Sequence, residues 1–346
     1  MLRTISEYAQ ICEWDPARFF IISNNVFDHL IYYSHLLPIV VSIPLALIIF
    51  YKNPKLQASR WFLFTTLLLS LWLTFDLILW ASEKPSFIMF FWSMINMIEP
   101  MIFAGSLFFI TSFINGPSKS FNEKLTVGIL LLPTILFAST GLNVSYFDLT
   151  NCEREVGEGL LPFYGYFIEV IFSLWILIIG LRKFLDLKDS SERKKIALVT
   201  SGMVFFLLSF SLGNIIGSLS FDWQIGQYGL FGVPVFIAVI AYLIVKYHLF
   251  SVKLISAQVL VTAQWILLFA TLLITDITVL KEVVVFTLII FTALGYLLIR
   301  SVQREVEQKE LLQIANDGQE NLIHIINHQI KGYLSKGRNI FIELIQ

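Results

Sequence analysis

Residues 61–82 read WFLFTTLLLSLWLTFDLILWAS, with one ionisable side chain, Asp76, and neither proline nor glycine. A helix crosses about 30 Å of hydrocarbon with about 20 apolar residues, so this stretch points to lipid as the solvent. Working outward, eight further stretches approach that length: 30–51, 87–114, 125–143, 160–181, 196–218, 227–246, 255–274 and 282–299. Lipid offers no hydrogen bonds to a bare backbone, which favours helix throughout. The expected fold is an all-α membrane protein of about nine transmembrane helices followed by a cytoplasmic coiled-coil or dimerisation helix.

Composition agrees with that reading. Of 346 residues, 57% are hydrophobic and only 14% charged, with a mean hydropathy of +0.76. The 32 Phe, 12 Tyr and 8 Trp suit lipid contact and interfacial belts better than a water-soluble core. No basic stripe interleaved with aromatics stands outside the spans, so no nucleic-acid partner is expected. Residues 1–29 carry Glu7, Glu13, Asp15 and Arg18 and lack both a short apolar core and a small-residue cleavage site. They read as an extracytoplasmic N-terminal segment, not a secretory signal peptide.

Bilayers sort Lys and Arg by side, so the short connections test the count of spans. Odd-numbered loops hold thirteen: Lys52, Lys55 and Arg60; Lys119 and Lys124; Arg182, Lys183, Lys188, Arg193, Lys194 and Lys195; Lys246 and Lys253. Even-numbered loops hold three, Lys84, Arg154 and Lys281. The alternation places the N-terminus outside and the C-terminus in the cytoplasm, as in a multi-pass protein of a bacterial-type inner membrane. Cys12 and Cys152, the two cysteines of the chain, both fall on the outer side. An oxidising compartment there permits a disulfide, the alternative being two unpaired thiols.

An ionisable side chain at bilayer depth costs about 2.5 to 3.5 kcal/mol on insertion scales and asks for a reason. Asp76 lies toward the outer end of span two, Glu99 near the middle of span three beside Asn96 and Pro100, and Glu169 near the middle of span five. Asp76, Asn96, Glu99 and Glu169 are candidates for a ligand or proton pocket facing outward, or for protonated packing clips between helices. No basic partner for these acids is evident inside the spans. His29 and His35 bracket the outer start of span one, and His248 lies in a cytoplasmic loop. All three read as interfacial side chains, and no metal ligand set is indicated. The run Gly213–Asn214–Ile215–Ile216–Gly217 permits close helix approach, within one bundle or between two copies.

After residue 299 the chain turns charged and rich in helix formers. Apolar residues recur at Val302, Val306, Leu311, Ala315, Leu322 and Ile325, an imperfect seam suited to pairing with a second copy. Asp317–Gly318 interrupts it. Then follows Asn327–His328–Gln329–Ile330–Lys331–Gly332–Tyr333–Leu334. This stretch resembles the phosphoacceptor box of sensor histidine kinases: His, an acid or amide, an apolar residue, Arg or Lys, a small polar residue, Pro, Leu. The layout, seven spans and two more before an emerging helix, is similar to kinases of that family with a seven-span N-terminal region.

The resemblance implies a membrane-bound sensor of a two-component system, organised as 1–29, a seven-helix sensor region 30–246, two further helices 255–299, a linker helix 300–322 and the start of a dimerisation helix 323–346. His328 would be the phosphoacceptor, with Gln329 and Lys331 beside it. An attacking imidazole needs one unprotonated nitrogen in line with the γ-phosphoryl group. Gln329 accepts a hydrogen bond but takes no proton, which weakens basic assistance. Gly332, where the family has Thr or Asn, implies weak phosphatase activity, and Tyr333 replaces the helix-bending Pro. His324, one turn earlier, is the internal competitor.

No cofactor is expected in the chain itself. ATP and Mg belong to a catalytic domain expected beyond residue 346 or on another protein, and a homodimer, a response regulator and the bilayer are the implied partners. The alternatives are a small transporter and a receptor with a non-kinase output.

Overall fold

The computed structural model describes residues 14–26, 30–116, 121–148, 155–220 and 223–247, with 307–308, 311–316, 318–319, 323 and 330–331 of the tail. The expected spans at 255–274 and 282–299 lie outside the described residues. Helices account for most of the first unit: α1 (Leu30–Lys52), α2 (Gln57–Ala81), α3 (Pro85–Asn115), α4 (Phe121–Leu136), α5 (Leu160–Asp186), α6 (Ser190–Ser220), the single turn α7 (Trp223–Gly226) and α8 (Gly232–Tyr247). Among the described residues six stretches are long and apolar enough to cross a bilayer: Ser34–Lys52, Gln57–Ala81, Pro85–Asn115, Leu160–Asp186, Ser190–Ser220 and Gln227–Ile244. The chain is a helical membrane protein.

Local sequence explains the element ends. Pro85 occupies the first turn of α3, where its missing N–H is harmless. Gly116 ends that helix at φ +77, a left-handed conformation that glycine adopts without strain. Pro38, Pro44, Pro100 and Pro133 lie inside helices, a placement that membrane helices tolerate better than soluble ones.

Two elements depart from the expected all-α series. The fourth span, expected at 125–143, is helical only to Leu136 and continues as turns through Asn143. An antiparallel hairpin follows, β1 (Val144–Asp148) paired with β2 (Glu155–Glu158). The chain nevertheless traverses the bundle here: Thr111 of α3 hydrogen-bonds Glu123 at the start of α4, and Asn96 of α3 hydrogen-bonds Asn143 beyond its end. Helix and turns together run antiparallel to α3. The seventh span also starts irregularly, with a 3-10 turn over Gln227–Phe231 before α8.

Helix α3 is the axis of the bundle, touching α2, α4, α5, α6 and β1, while α6 packs on α5 and α8 and α1 on α2. Aromatic rings fill the centre: Trp72 meets Phe210 edge to face at 4.8 Å, and Phe206 stacks on Phe236 at 6.0 Å. Gly213 lets α6 approach the α7 region, since a Cβ there would stand 2.6 Å from the Gly226 carbonyl oxygen. Gly217 faces Trp223 in the same way, so the small-residue motif serves packing within this bundle.

The exterior carries Phe64, Leu67 and Leu71 of α2, Phe167, Leu174 and Ile178 of α5, and Phe205 and Leu212 of α6. The interior holds Ser34, His35, Asp76, Glu99, Glu169 and Asn214. This inversion is what lipid selects, because an apolar exterior costs nothing there while polar groups must find partners inside. Connections with Lys52, Lys55, Arg182, Lys183, Lys188 and Lys194 collect at one end of the bundle, and the hairpin and α7 at the other.

The second unit begins at Leu288. Its described residues include the helical stretch Leu311–Asn316, in which Leu311 and Ala315 of the expected seam are exposed. Val302, Val306, Leu322 and Ile325 lie outside the described residues.

Candidate functional site: a carboxyl cluster inside the bundle

Glu99 sits midway along α3, immediately before Pro100. Proline carries no N–H, so the Asn96 carbonyl one turn earlier loses its helical partner. Glu99 and Glu169 are 5% and 1% exposed, burial that demands partners for each carboxyl oxygen. Asn214 of α6 donates through Nδ2 to Glu99 Oε1 at 2.5 Å, and Trp72 of α2 donates through Nε1 to Oε2 at 3.2 Å. Glu169 of α5 brings its carboxyl within hydrogen-bonding reach of Glu99, and the Ser211 hydroxyl of α6 faces Glu169 without forming a well-aligned bond. Glu169 Oε2 has no hydrogen-bond partner among the described residues. Four helices thus converge on one pair of acids.

Asp76 belongs to a second cluster joined to the first by Trp72. His35 Nε2 lies 2.7 Å from Asp76 Oδ2, and His35 Nδ1 lies 2.6 Å from the Ile31 carbonyl oxygen. The His35 ring stacks on the Trp72 indole. Two expectations are corrected here. His35 is not interfacial but fully buried, and Asp76 does have a basic partner inside the spans. Asp76 and Trp72 of α2 enclose the His35 ring, and residues 14–26 fold over the start of α1 nearby: Asn25 donates to the Ala81 carbonyl at 3.0 Å, and Val26 packs with Ile31, Leu77 and Ala81.

Asn96 does not join the acids. Its Nδ2 donates to Asn143 Oδ1 at 2.8 Å, while Asn143 donates to the Ala138 carbonyl at 2.8 Å. That pair closes the turn after α4. Nearer the hairpin end, Glu158 accepts from Ser218 at 2.5 Å and from Trp92 at 3.3 Å. Burial pushes the Glu158 carboxyl above the usual carboxylate range, against the two hydrogen bonds, which pull it down.

Lys331 is helical and exposed. His328, Gln329, Cys12 and Cys152 lie outside the described residues, as do His29, His248 and His324. Among the described residues no group of three or more His, Cys, Asp and Glu side chains is arranged to hold a metal ion.

Sequence reasoning found the acids but missed Trp72, Asn214, His35, Ser211 and Glu158. An Asn between two small residues within an apolar run, and a Trp four positions before an intramembrane Asp, were the available signals. Comparison with known proteins adds nothing to the geometry: no family model, no curated protein and no solved structure matches the chain.

Proposed function

We propose that this chain is the membrane-embedded sensing part of a two-component signalling protein, with the buried carboxyl cluster as its signal-binding element and His328 as its phosphoacceptor. The observation that carries the sensing half is the convergence of Glu99, Glu169, Asn214 and Trp72 from four helices onto one buried point. A change in the charge or partners of that point acts on all four helices together, as a switch element requires. The output half rests on the sequence from Asn327 to Leu334 and its resemblance to the phosphoacceptor box.

In this reading the protein lies in a bacterial-type inner membrane with the hairpin end outside and the Lys- and Arg-rich end in the cytoplasm. Two copies pair through the tail helix. A catalytic domain supplies ATP and Mg, and a response regulator receives the phosphoryl group. Each of these is a proposal.

The test uses the full chain in lipid nanodiscs with a histidine-kinase ATP-binding domain added in trans. Radiolabelled ATP is expected to give acid-labile, base-stable phosphate on the chain, lost in His328→Ala and retained in His324→Ala. Equal labelling of His328→Ala and wild type would overturn the assignment.

The His35–Asp76 pair favours a second reading, a small transporter, because ion pairs within the spans are common in transport paths. Proteoliposomes separate the two. A transporter acidifies or alkalinises the lumen under an imposed gradient, and loses that activity in Asp76→Asn.

A further inference from the structure

The hydrogen bonds around Glu99 restrict how many protons the cluster holds. Both Glu99 oxygens already accept, from Asn214 Nδ2 and Trp72 Nε1, which is the pattern of an ionised carboxylate. Glu169 faces the same carboxyl, and two carboxyls meet only with a proton between them. Glu169 is then the acid and donor of the pair, and no other hydrogen-bond donor reaches its Oε2 among the described residues. The pair holds one proton and a charge of about −1 by this count of donors and acceptors.

Among the described residues no cation faces that charge from any neighbouring element. From α2 and α1 comes the Asp76–His35 pair, whose own inventory closes: Nδ1 must donate to the Ile31 carbonyl, and one further proton joins Nε2 to Asp76, so the pair is neutral overall. From β2 comes Glu158, from α5 itself Tyr166, and from α6 only Asn214, Ser211 and Ser218. α4 offers Glu123, placed far off opposite Thr111. A buried negative charge without a counter-charge favours uptake of a positive one.

Polar groups lead to the pair from the hairpin end. Ser218, one turn from Asn214, donates to Glu158 at 2.5 Å, and Tyr166, one turn from Glu169, faces Ser218 without forming a well-aligned bond. On the other side, Ser106 of α3, Ser173 of α5 and Ser211 of α6 are buried, and none makes a well-formed hydrogen bond among the described residues. They stand one or two turns from the acids on the same three helices. Buried hydroxyls left bare in this way are where ordered water is found.

We propose that the Glu99–Glu169 pair binds a second proton, delivered from the hairpin end through Ser218 and Tyr166, and that this proton is the signal ligand of the cluster. The inference rests on the sensing reading above and names its ligand. In the step, a hydronium ion at the hairpin end breaks one O–H bond and leaves as water, one O–H bond forms on the pair, and the pair's charge goes from −1 to zero without electron transfer. A neutral Glu99 accepts more weakly from Asn214, which loosens the clip between α3 and α6.

The test is infrared difference spectroscopy of the full chain in nanodiscs, stepped from alkaline to acid pH in sodium-free buffer. Wild type is expected to gain a buried protonated-carboxyl C=O band that E99Q and E169Q each lack, while E169D keeps it at a shifted frequency. Circular dichroism of the same discs verifies that each variant is folded. Absence of the band in wild type, or its persistence in both Gln variants, would overturn the proposal. Sodium added at fixed pH is expected to leave the band unchanged; its loss on adding sodium would identify a monovalent-cation site instead and overturn the assignment to protons. The spectra do not involve His328, so the His328 labelling experiment stands or falls separately.

Discussion

The imidazole of His35 lies parallel to the indole of Trp72, with ring centroids 6.4 Å apart and planes 7° from parallel. Because Trp72 Nε1 also donates to Glu99, one side chain touches both ionisable clusters. Changes at His35 therefore reach Glu99 through a single rigid ring.

Trp72→Phe keeps most of the stacking surface and removes the N–H donor. It is expected to lower stability by about 1–3 kcal/mol, the effect of leaving a buried acceptor unsatisfied. Unfolding followed in nanodiscs, with Trp72→Ala as the larger lesion, checks this. Equal stability of Trp72→Phe and wild type would show that the 3.2 Å contact contributes little.

The His35–Asp76 pair is expected to show strong coupling. Removing one member of a buried pair costs about 3–5 kcal/mol, whereas removing both costs less than the sum. A double-mutant cycle with His35→Leu and Asp76→Leu measures it, and simple additivity would argue that the two side chains are independent.

Docking of the hairpin is expected to weaken as pH rises. The Glu158 carboxyl, raised by burial in the folded protein, is neutral more readily there than in the unfolded chain. Its contribution is therefore complete below the ordinary carboxylate range and is lost as pH climbs through the raised folded value. Amide exchange across Val144–Asp148 as a function of pH reads this out, and Glu158→Gln should flatten the profile.

Two glycines should behave oppositely on substitution by alanine. Gly213 abuts the Gly226 carbonyl oxygen, so Gly213→Ala is expected to destabilise the bundle by about 1–3 kcal/mol through overpacking. Gly128 lies inside α4, where an added methyl would meet nothing within 4 Å. Gly128→Ala should therefore gain up to about 1 kcal/mol from helix propensity. Thermal midpoints of the two variants against wild type decide the sign of each.

Most helices were legible because apolar length is a local property. Expected spans at 30–51, 61–82 and 87–114 fall on Leu30–Lys52, Gln57–Ala81 and Pro85–Asn115. Span four failed because its apolar run continues through Phe137 and Leu142, past the point where the helix stops. Beyond that point Asn143 ties the turn to Asn96 and Ser93 of α3, contacts that depend on packing and not on the local pattern. The acids were legible as chemical oddities in lipid. Their convergence was not, because it depends on how α3, α5 and α6 cross. His35 was misread for the same reason, its partners Asp76 and Trp72 coming from the neighbouring helix α2.

The unequal lengths of neighbouring helices carry a consequence for the lipid. At 1.5 Å per residue, the 16 residues of α4 measure about 24 Å and the 31 of α3 about 46 Å. A bilayer of uniform thickness near 30 Å suits neither helix alone. Beside α4 the turns through Asn143, with Phe137 and Leu142 exposed, lengthen the apolar flank, whereas a helix as long as α3 fits the same thickness by leaning. One flank of the protein thus offers lipid a shorter helix completed by turns, and a change in acyl-chain length acts there on irregular backbone instead of on helix tilt.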